Sequence, residues 1–482
     1  MAGDAGAPLA GKKAGGERWP LWKLIIIALP QLGVQVLWCF IGPNSAEYML
    51  HLGMGPALAT LNNIAGPITG FFTGPIVGAT SDGLTSKYGR RRPVILTGLV
   101  LTWVAGMAFS LAQRIFPGHA AVYFAAPMYW VMDVTINILQ TPHRALVADL
   151  AEDDQQVPMQ VVFVVFMAMG NFLAFSIMQI FEVPVEHMFE LLLGICLLNT
   201  VCIAIQFMVA RETPLERDPN APKASKCAPV MNVIEAVKSS PCLLYHLAAV
   251  QCLVWIGNTA WNIYGEMWFT HSVFEGKQKA PKGSPERQAY HLGVKAFSHG
   301  GQCRSVLQLL AALAIILILI QTTLRPRLVY APCIFIGAVA SFLAAFAVGH
   351  VSMFAIACFT LSVMPEVGSF AIPFGLVATL NQRAEREGKQ VSTALQMSLL
   401  NCCVTVGQQI CTLSLAAIMG TLSMSMALPC VFMLAGGAQA LAGSGALFLD
   451  DAPVEDEATT EEEDNLDLSM ESDSALESSA VC

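Results

Sequence analysis

The sequence predicts an all-α membrane protein with twelve transmembrane helices arranged as two six-helix bundles. Composition is the first observation behind this: 55% of the 482 residues are hydrophobic and 13% are charged, against roughly 25% charged in a soluble domain. The second is a succession of apolar runs, each long enough to cross a hydrocarbon core about 30 Å thick at about 1.5 Å of rise per residue. The third is a polar connector halfway along the chain, which separates six runs from six.

The runs are bounded by Gly, Pro and charge clusters. The first six fall at 21–41, 57–80, 93–112, 120–142, 157–181 and 187–209, and the second six at 241–264, 300–321, 329–349, 351–380, 391–419 and 423–449. The chain then divides into an N-terminal segment at 1–20, a first bundle at 21–209, a central loop at 210–240, a second bundle at 241–449 and a tail at 450–482. The N-terminal segment has no short apolar core followed by a small-residue cleavage site, so the first run reads as a retained span.

Orientation follows from Lys and Arg, which favour cytoplasmic loops. With the N-terminus inside, the inner segments collect 19 of the 26 basic residues, and both termini are expected to be cytoplasmic. The other seven are Arg114 and a cluster from Lys277 to Arg304, read as a long connection between the seventh and eighth spans. The tail holds 13 acids and no Lys or Arg; without it the body carries 26 basic against 22 acidic residues. So charged a segment cannot bury enough apolar surface to fold alone, and a solvated tail is expected. The 14 cysteines lie mostly in apolar runs without framework spacing, and read as small hydrophobes rather than bridges or ligands. No metal-ligand spacing, phosphate-binding loop or nucleophile triad is apparent, so neither a metal nor an organic cofactor is expected, and no nucleic-acid partner. The lipid bilayer is the one partner that composition itself demands.

The fourth span carries the most informative residue. Asp133 sits near its middle, where a charged side chain costs about 2.5–3.5 kcal/mol on insertion scales and so marks a paired, protonated or water-lining group. Asp133, Asn137 and Gln140 fall at i, i+4 and i+7 and share one helical face. Arg144 follows eleven residues after Asp133, about 16 Å along a helix. The two cannot pair on one straight helix, which puts Arg144 at the inner mouth with Asp82 or Asp149 as candidate partners. Between the second and third spans, Gly78 and Gly89 permit tight turns, Asp82 can accept hydrogen bonds, and Arg90, Arg91 and Arg92 can pair with carboxylates. Two further acids stand in the second bundle. Glu266 lies in the seventh span, and Glu366 follows Pro365 in the tenth, where the missing helix hydrogen bond can open a carbonyl to ligand.

The stretch Gly78 to Pro93, GATSDGLTSKYGRRRP, resembles the loop signature of the major facilitator superfamily, where it belongs to an inner-face gate. Within that superfamily the chain is similar to the plant sucrose transporters of the glycoside-pentoside-hexuronide cation symporter group. The resemblance rests on GVQVLW with Gly33, Gln35 and Trp38, on AGPITG from Ala65 to Gly70, and on MDVTINILQTPHRALVADL. FMAMGN from Phe166 to Asn171 and AIPF from Ala371 to Phe374 extend it. It implies the major facilitator fold and sugar–proton symport, with the proton as coupling ion and no other cofactor.

By position, the resemblance assigns Asp133 to proton coupling and sugar contact and Arg144 to a residue needed for transport. Asn137, Gln140, Gln35 and Trp38 are the expected substrate contacts, Trp38 being a better sugar platform than Trp130 or Trp255. Asp82, Arg90, Arg91, Arg144 and Asp149 are the expected gate. The seventh span departs from the family: Gly265 and Met267 replace two aspartates, and His271 and Ser272 replace an arginine and a glutamate, while Pro56 stands at the family's histidine before the second span. Glu366 or Glu266 is the expected replacement for part of that charge, with Glu366 as a second coupling residue. The lost charges leave open a facilitator, or a symporter for another hexose or polyol. A sugar sensor that does not transport is the alternative of another class. A monomer in the plasma membrane rather than an internal one is the expected setting.

Overall fold

The computed structural model describes residues 19–82, 84–150, 153–181, 184–210, 212, 242–322, 324–347, 352–386 and 393–449. The acidic tail lies outside the described residues, as does the central loop apart from Ala210 and Glu212.

The first span is α1 (Leu21–Ala28) and α2 (Pro30–Leu52). Proline at the start of α2 cannot donate to α1, yet Leu29 keeps helical φ and ψ, so the span is interrupted without turning away. It ends where Gly53 adopts φ +104°, a left-handed conformation that closes a helix at little cost in glycine. The polar run Asn44, Ser45 and Glu47 is therefore buried helix, and not the connection that a span ending at residue 41 implied. The second span comprises α3 (Pro56–Asn62) and α4 (Ala65–Asp82), followed by α5 (Arg92–Ser110) with the short α6 (Ala112–Ile115). Gly78 lies inside α4 and makes no turn, whereas Gly89, at φ +94°, does. The fourth to sixth spans are α7 (His119–Leu150), α8 (Asp153–Ile180) and α9 (Met188–Val209), the last preceded by the tight turn Pro184–His187.

In the second half α10 (Cys242–Met267) runs directly into a π turn, Trp268–Val273. Then come α11 (Pro285–Gln321), α12 (Pro326–Ala345), the pair α13 (Ser352–Leu361) and α14 (Met364–Arg386), α15 (Thr393–Met419) and α16 (Met424–Leu447). Ser284 caps α11 by accepting from the Arg287 amide. Because α11 starts at Pro285, Arg287, Lys295 and Arg304 are helical, so half of the six-residue basic cluster read as a connection belongs to the eighth span, while Lys277, Lys279 and Lys282 precede it. Among the described residues eleven segments are long and apolar enough to cross a membrane. The second span is not one of them, because glycine, proline and threonine dilute AGPITGFFTGP.

Three apolar cores explain how the halves sit. One belongs to the first half (Leu24, Val34, Leu139, Leu146, Ile203) and one to the second (Leu247, Ile315, Ile334, Val367, Ala442). The third is shared: Phe40, Met49, Met178 and Val185 pack with Tyr264, Trp268, Phe297 and Phe432. The shared core lies toward the Glu186 end of the molecule, while at the Arg90 end each half has its own, with Val164 of α8 packed against that of the second half. Burial of apolar surface thus joins the halves mainly at one end. Close helix approach depends on glycine at Gly98 of α5, where an added Cβ would stand 2.6 Å from the backbone nitrogen of Leu139 in α7. Val104, Tyr123, Ile180 and Phe346 are exposed around the perimeter, as a lipid-facing belt requires.

Candidate functional site

Asp133 is 1% exposed and sits behind a polar chain that leads out of α7. The Thr69 hydroxyl of α4 donates to its carboxylate. The Asn137 amide donates to the Asp133 carbonyl at 3.0 Å, and Gln140 donates to the Asn137 side-chain oxygen at 2.8 Å. The Trp38 indole of α2 donates to Gln140 at 3.0 Å. The spacing of one helical face and a tryptophan one helix away therefore build a single network from Thr69 to Trp38. Gln35, one turn before Trp38, instead donates to Asn171 of α8 at 2.9 Å, and Asn171 donates to Gln308 of α11 at 2.9 Å. That relay crosses from one half to the other.

The facing wall comes from the second half. Arg304 and Glu366 form an ion pair at 2.6 Å with each side chain 6% exposed. The Asn262 amide donates to the same Glu366 oxygen at 3.2 Å. Glu366 lies in the first turn of α14, where the unpaired N–H groups of the helix start add to the pull of Arg304. The break between α13 and α14 at Ser362 and Val363 creates that start, and the hydroxyl of Ser369 donates to the Pro365 carbonyl at 2.6 Å. Cys39, next to Trp38, lies within electrostatic reach of Arg304 and Glu366. The two walls thus meet across α2.

Gln35, Trp38, Gln140 and Asn262 are half-buried, Gln35 between the fully buried Val34 and Val36. Polar groups part-wetted in the middle of a bundle line an open cleft. Arg144 marks its mouth: it is ringed by protein yet exposed, and its Nε reaches Gln31 at 3.5 Å. Asp149 does not serve Arg144, because Arg90 and Arg91 both pair with it at 2.9 Å. The Asp82 side chain lies outside the described residues.

Sequence reasoning missed several groups. Arg304 falls inside the eighth run yet is counted with the basic cluster before it, and Asn171 and Gln308 meet only through tertiary packing. Glu212 accepts from the Arg91 amide at 2.9 Å and the Arg92 amide at 2.9 Å, so it caps α5 from just past α9. Trp261 is wholly buried, donates to Ser341 at 2.9 Å and stacks with Phe359, which makes it packing in this conformation and not a free platform.

A profile of the family described as MFS/sugar transport protein matches residues 26–273, half of the chain. The chain belongs to this family. Among curated relatives it is 28% identical over 318 residues to the sucrose transport protein SUT1 of Oryza sativa subsp. japonica, covering 58% of each chain. It is 36% identical over 169 residues to the sucrose transport protein SUC3 of Arabidopsis thaliana, covering 32% of this chain and 28% of that one. The aligned region thus spans little more than half the length of the first of these relatives. Among solved structures the fold matches a POT family transporter in complex with 5-aminolevulinic acid, with TM-score 0.64, 12% identity and coverage of 88% and 95%. A D-xylose-proton symporter matches with TM-score 0.63, 9% identity and coverage of 89% and 98%. At such identities these likenesses establish the fold, two helical bundles about a central cleft.

Proposed function

We propose that this member of the MFS/sugar transport protein family is a secondary active transporter that moves a sugar, sucrose or a related glucoside, together with a proton by alternating access. The observation that carries the reading is the convergence of Asp133, Asn137, Gln140 and Trp38 on a cleft whose other wall is the Arg304–Glu366 pair. Amides and an indole suit the hydroxyls and apolar face of a sugar ring. A membrane-embedded carboxylic acid that can be neutral or charged suits a proton. The sucrose transport proteins named above agree with the substrate class, and the xylose–proton symporter with the coupling.

In this account the Arg90 end faces the cytoplasm, with both termini, and the chain works as a monomer in the plasma membrane. Closure at the Glu186 end and the open cleft at Arg144 correspond to an inward-facing state. Asp82, Arg90, Arg91, Arg144 and Asp149 act as the inner gate. The pair of Arg90 and Arg91 with Asp149 rigidifies the α4–α5 corner, and Arg144 is left to meet the second half when the cleft closes. Asp133 holds the coupling proton, and release of sugar and proton precedes the return. Glu366, neutralised by Arg304, anchors the opposite wall and is freed to accept a proton only if that pair separates. One proton supplies about 2.3 kcal/mol per 100 mV and about 1.4 kcal/mol per pH unit, enough together for a gradient of several hundredfold.

Proteoliposomes carrying the purified chain test the reading. Radiolabelled sucrose is expected to accumulate when an inward proton gradient is imposed and to equilibrate without one. Identical uptake in the two conditions would refute proton coupling, and saturable sugar binding without flux would make the protein a sensor.

A further inference from the structure

A second group of titratable side chains lies well away from the Asp133 network, inside the shared core. Glu47 of α2 is fully buried, and its Oε1 stands 3.0 Å from Nε2 of His271 in the π turn. The other imidazole nitrogen, Nδ1, faces the Gly276 carbonyl at 3.2 Å. A carbonyl only accepts, so Nδ1 carries a hydrogen. Two acceptors cannot face each other at hydrogen-bond distance, so a proton also lies between Nε2 and Glu47, whether it belongs to an imidazolium or to a carboxylic acid. Glu266, one helical turn before His271, is fully buried, and neither of its carboxyl oxygens has a hydrogen-bond partner. The buried Tyr290 hydroxyl of α11 lacks a partner as well.

The charges do not balance without protons. The groups facing Glu266 and its neighbours are Glu47 and His51 from α2, Glu186 from the turn before α9, His271 from the π turn, Arg287 and Tyr290 from α11, and Lys279 near the rim. Arg287 is paired with Glu186 across the two halves. From α13 and α16 come the aromatic rings of Phe359 and Phe432, packed on Phe269 and Trp268. Of the two buried carboxyl groups, Glu47 has the histidine and Glu266 has no partner, and an unpaired buried carboxylate is heavily disfavoured. Glu47 belongs to the first half and Glu266 and His271 to the second. When that end of the molecule opens, the acids separate into water, where they ionise and the histidine is neutral above about pH 6.5.

We propose that Glu47, Glu266 and His271 form a proton-binding site, distinct from Asp133, that must be loaded for the Glu186–Arg287 end of the transporter to close. Protons enter from the outer solution, bind at the Glu47–His271 contact and on Glu266, and are buried as the halves come together. This rests on the transport reading for its physiological direction, but not for the test.

Hydrogen–deuterium exchange of the full-length chain in lipid nanodiscs, without sugar, reads the closure directly. The segments to follow are 44–54 and 264–278, with rates normalised to intrinsic amide chemistry, between pH 5.5 and 8.5. Each proton taken up on closure makes opening about tenfold easier per pH unit. Protection of the wild type should thus fall by at least tenfold per unit as pH rises. Glu266→Gln should lower that slope by one proton and so be better protected than the wild type at high pH. Glu47→Gln provides a second reading should the first variant fail to fold. A flat wild-type profile would overturn the proposal, as would an unchanged slope in the variants. A protein that shows the slope but carries no sugar would instead refute the transport reading and leave the proton site standing.

Discussion

Removing Glu366 alone should harm this protein more than removing Glu366 and Arg304 together. Both side chains are 6% exposed and their atoms meet at 2.6 Å, with the Phe359 ring 5.4 Å from the guanidinium. Glu366→Leu leaves a buried cation with no carboxylate, and the neutral Asn262 amide beside it cannot balance the charge. Stranding one partner of such a pair costs about 3–5 kcal/mol, whereas replacing both by apolar groups of similar volume is often neutral, because two desolvation penalties vanish with the attraction. Arg304→Met with Glu366→Leu should therefore recover most of the loss. The coupling energy from the cycle should reach at least about 2 kcal/mol. Chemical denaturation of the four purified proteins in one detergent supplies the cycle. If Glu366→Leu and the double variant unfold at the same denaturant concentration, the pair does not hold the wall and the reasoning fails. Transport should be lost in both variants, which separates the fold role from the functional one.

Two further outcomes follow from single contacts. Trp38→Phe keeps the ring but removes the indole donor to Gln140, so KM for sugar should rise by roughly two- to tenfold, the weight of one hydrogen bond of about 0.5–1.5 kcal/mol, with little change in unfolding; an unchanged KM would exclude the contact from sugar binding. Gly98→Ala forces a methyl against the α7 backbone at Leu139, where no side chain can move aside. It should destabilise the first bundle by about 1–3 kcal/mol, measured as a lowered unfolding midpoint, and a midpoint equal to wild type would place the helices further apart than described.

Much of the fold was legible because membrane spans are written in hydropathy, and because Asp133, Asn137 and Gln140 repeat at the helical period. What could not be read is instructive. Asn44, Ser45 and Glu47 look like a connection because they are polar, yet α2 carries them to Gly53, since Glu47 has His271 across the interface. Arg304 stands at the start of the eighth apolar run and closes the basic cluster that precedes it, and only the three-dimensional approach of α11 to α14 gives it Glu366. Periodicity sets the faces of a helix, but not the partner on the neighbouring helix or the rotation that selects it. For that reason the Thr69–Asp133 and Asn171–Gln308 contacts were invisible, while the identity of Asp133 as the unusual residue was not. The lost aspartates at Gly265 and Met267 were visible as gaps. The buried carboxyl between them, Glu266, takes on meaning only with Glu47 opposite.

The central claim is that Asp133 carries the coupling proton beside the sugar, and Asp133→Asn in proteoliposomes tests it most directly. Two rates are measured on the same preparation: accumulation of radiolabelled sucrose under an inward proton gradient, and exchange of internal for external sucrose at equal pH. The account predicts that accumulation collapses to the equilibrium level while exchange continues, because asparagine retains hydrogen bonding but cannot release a proton. Gradient-driven accumulation equal to wild type would contradict it.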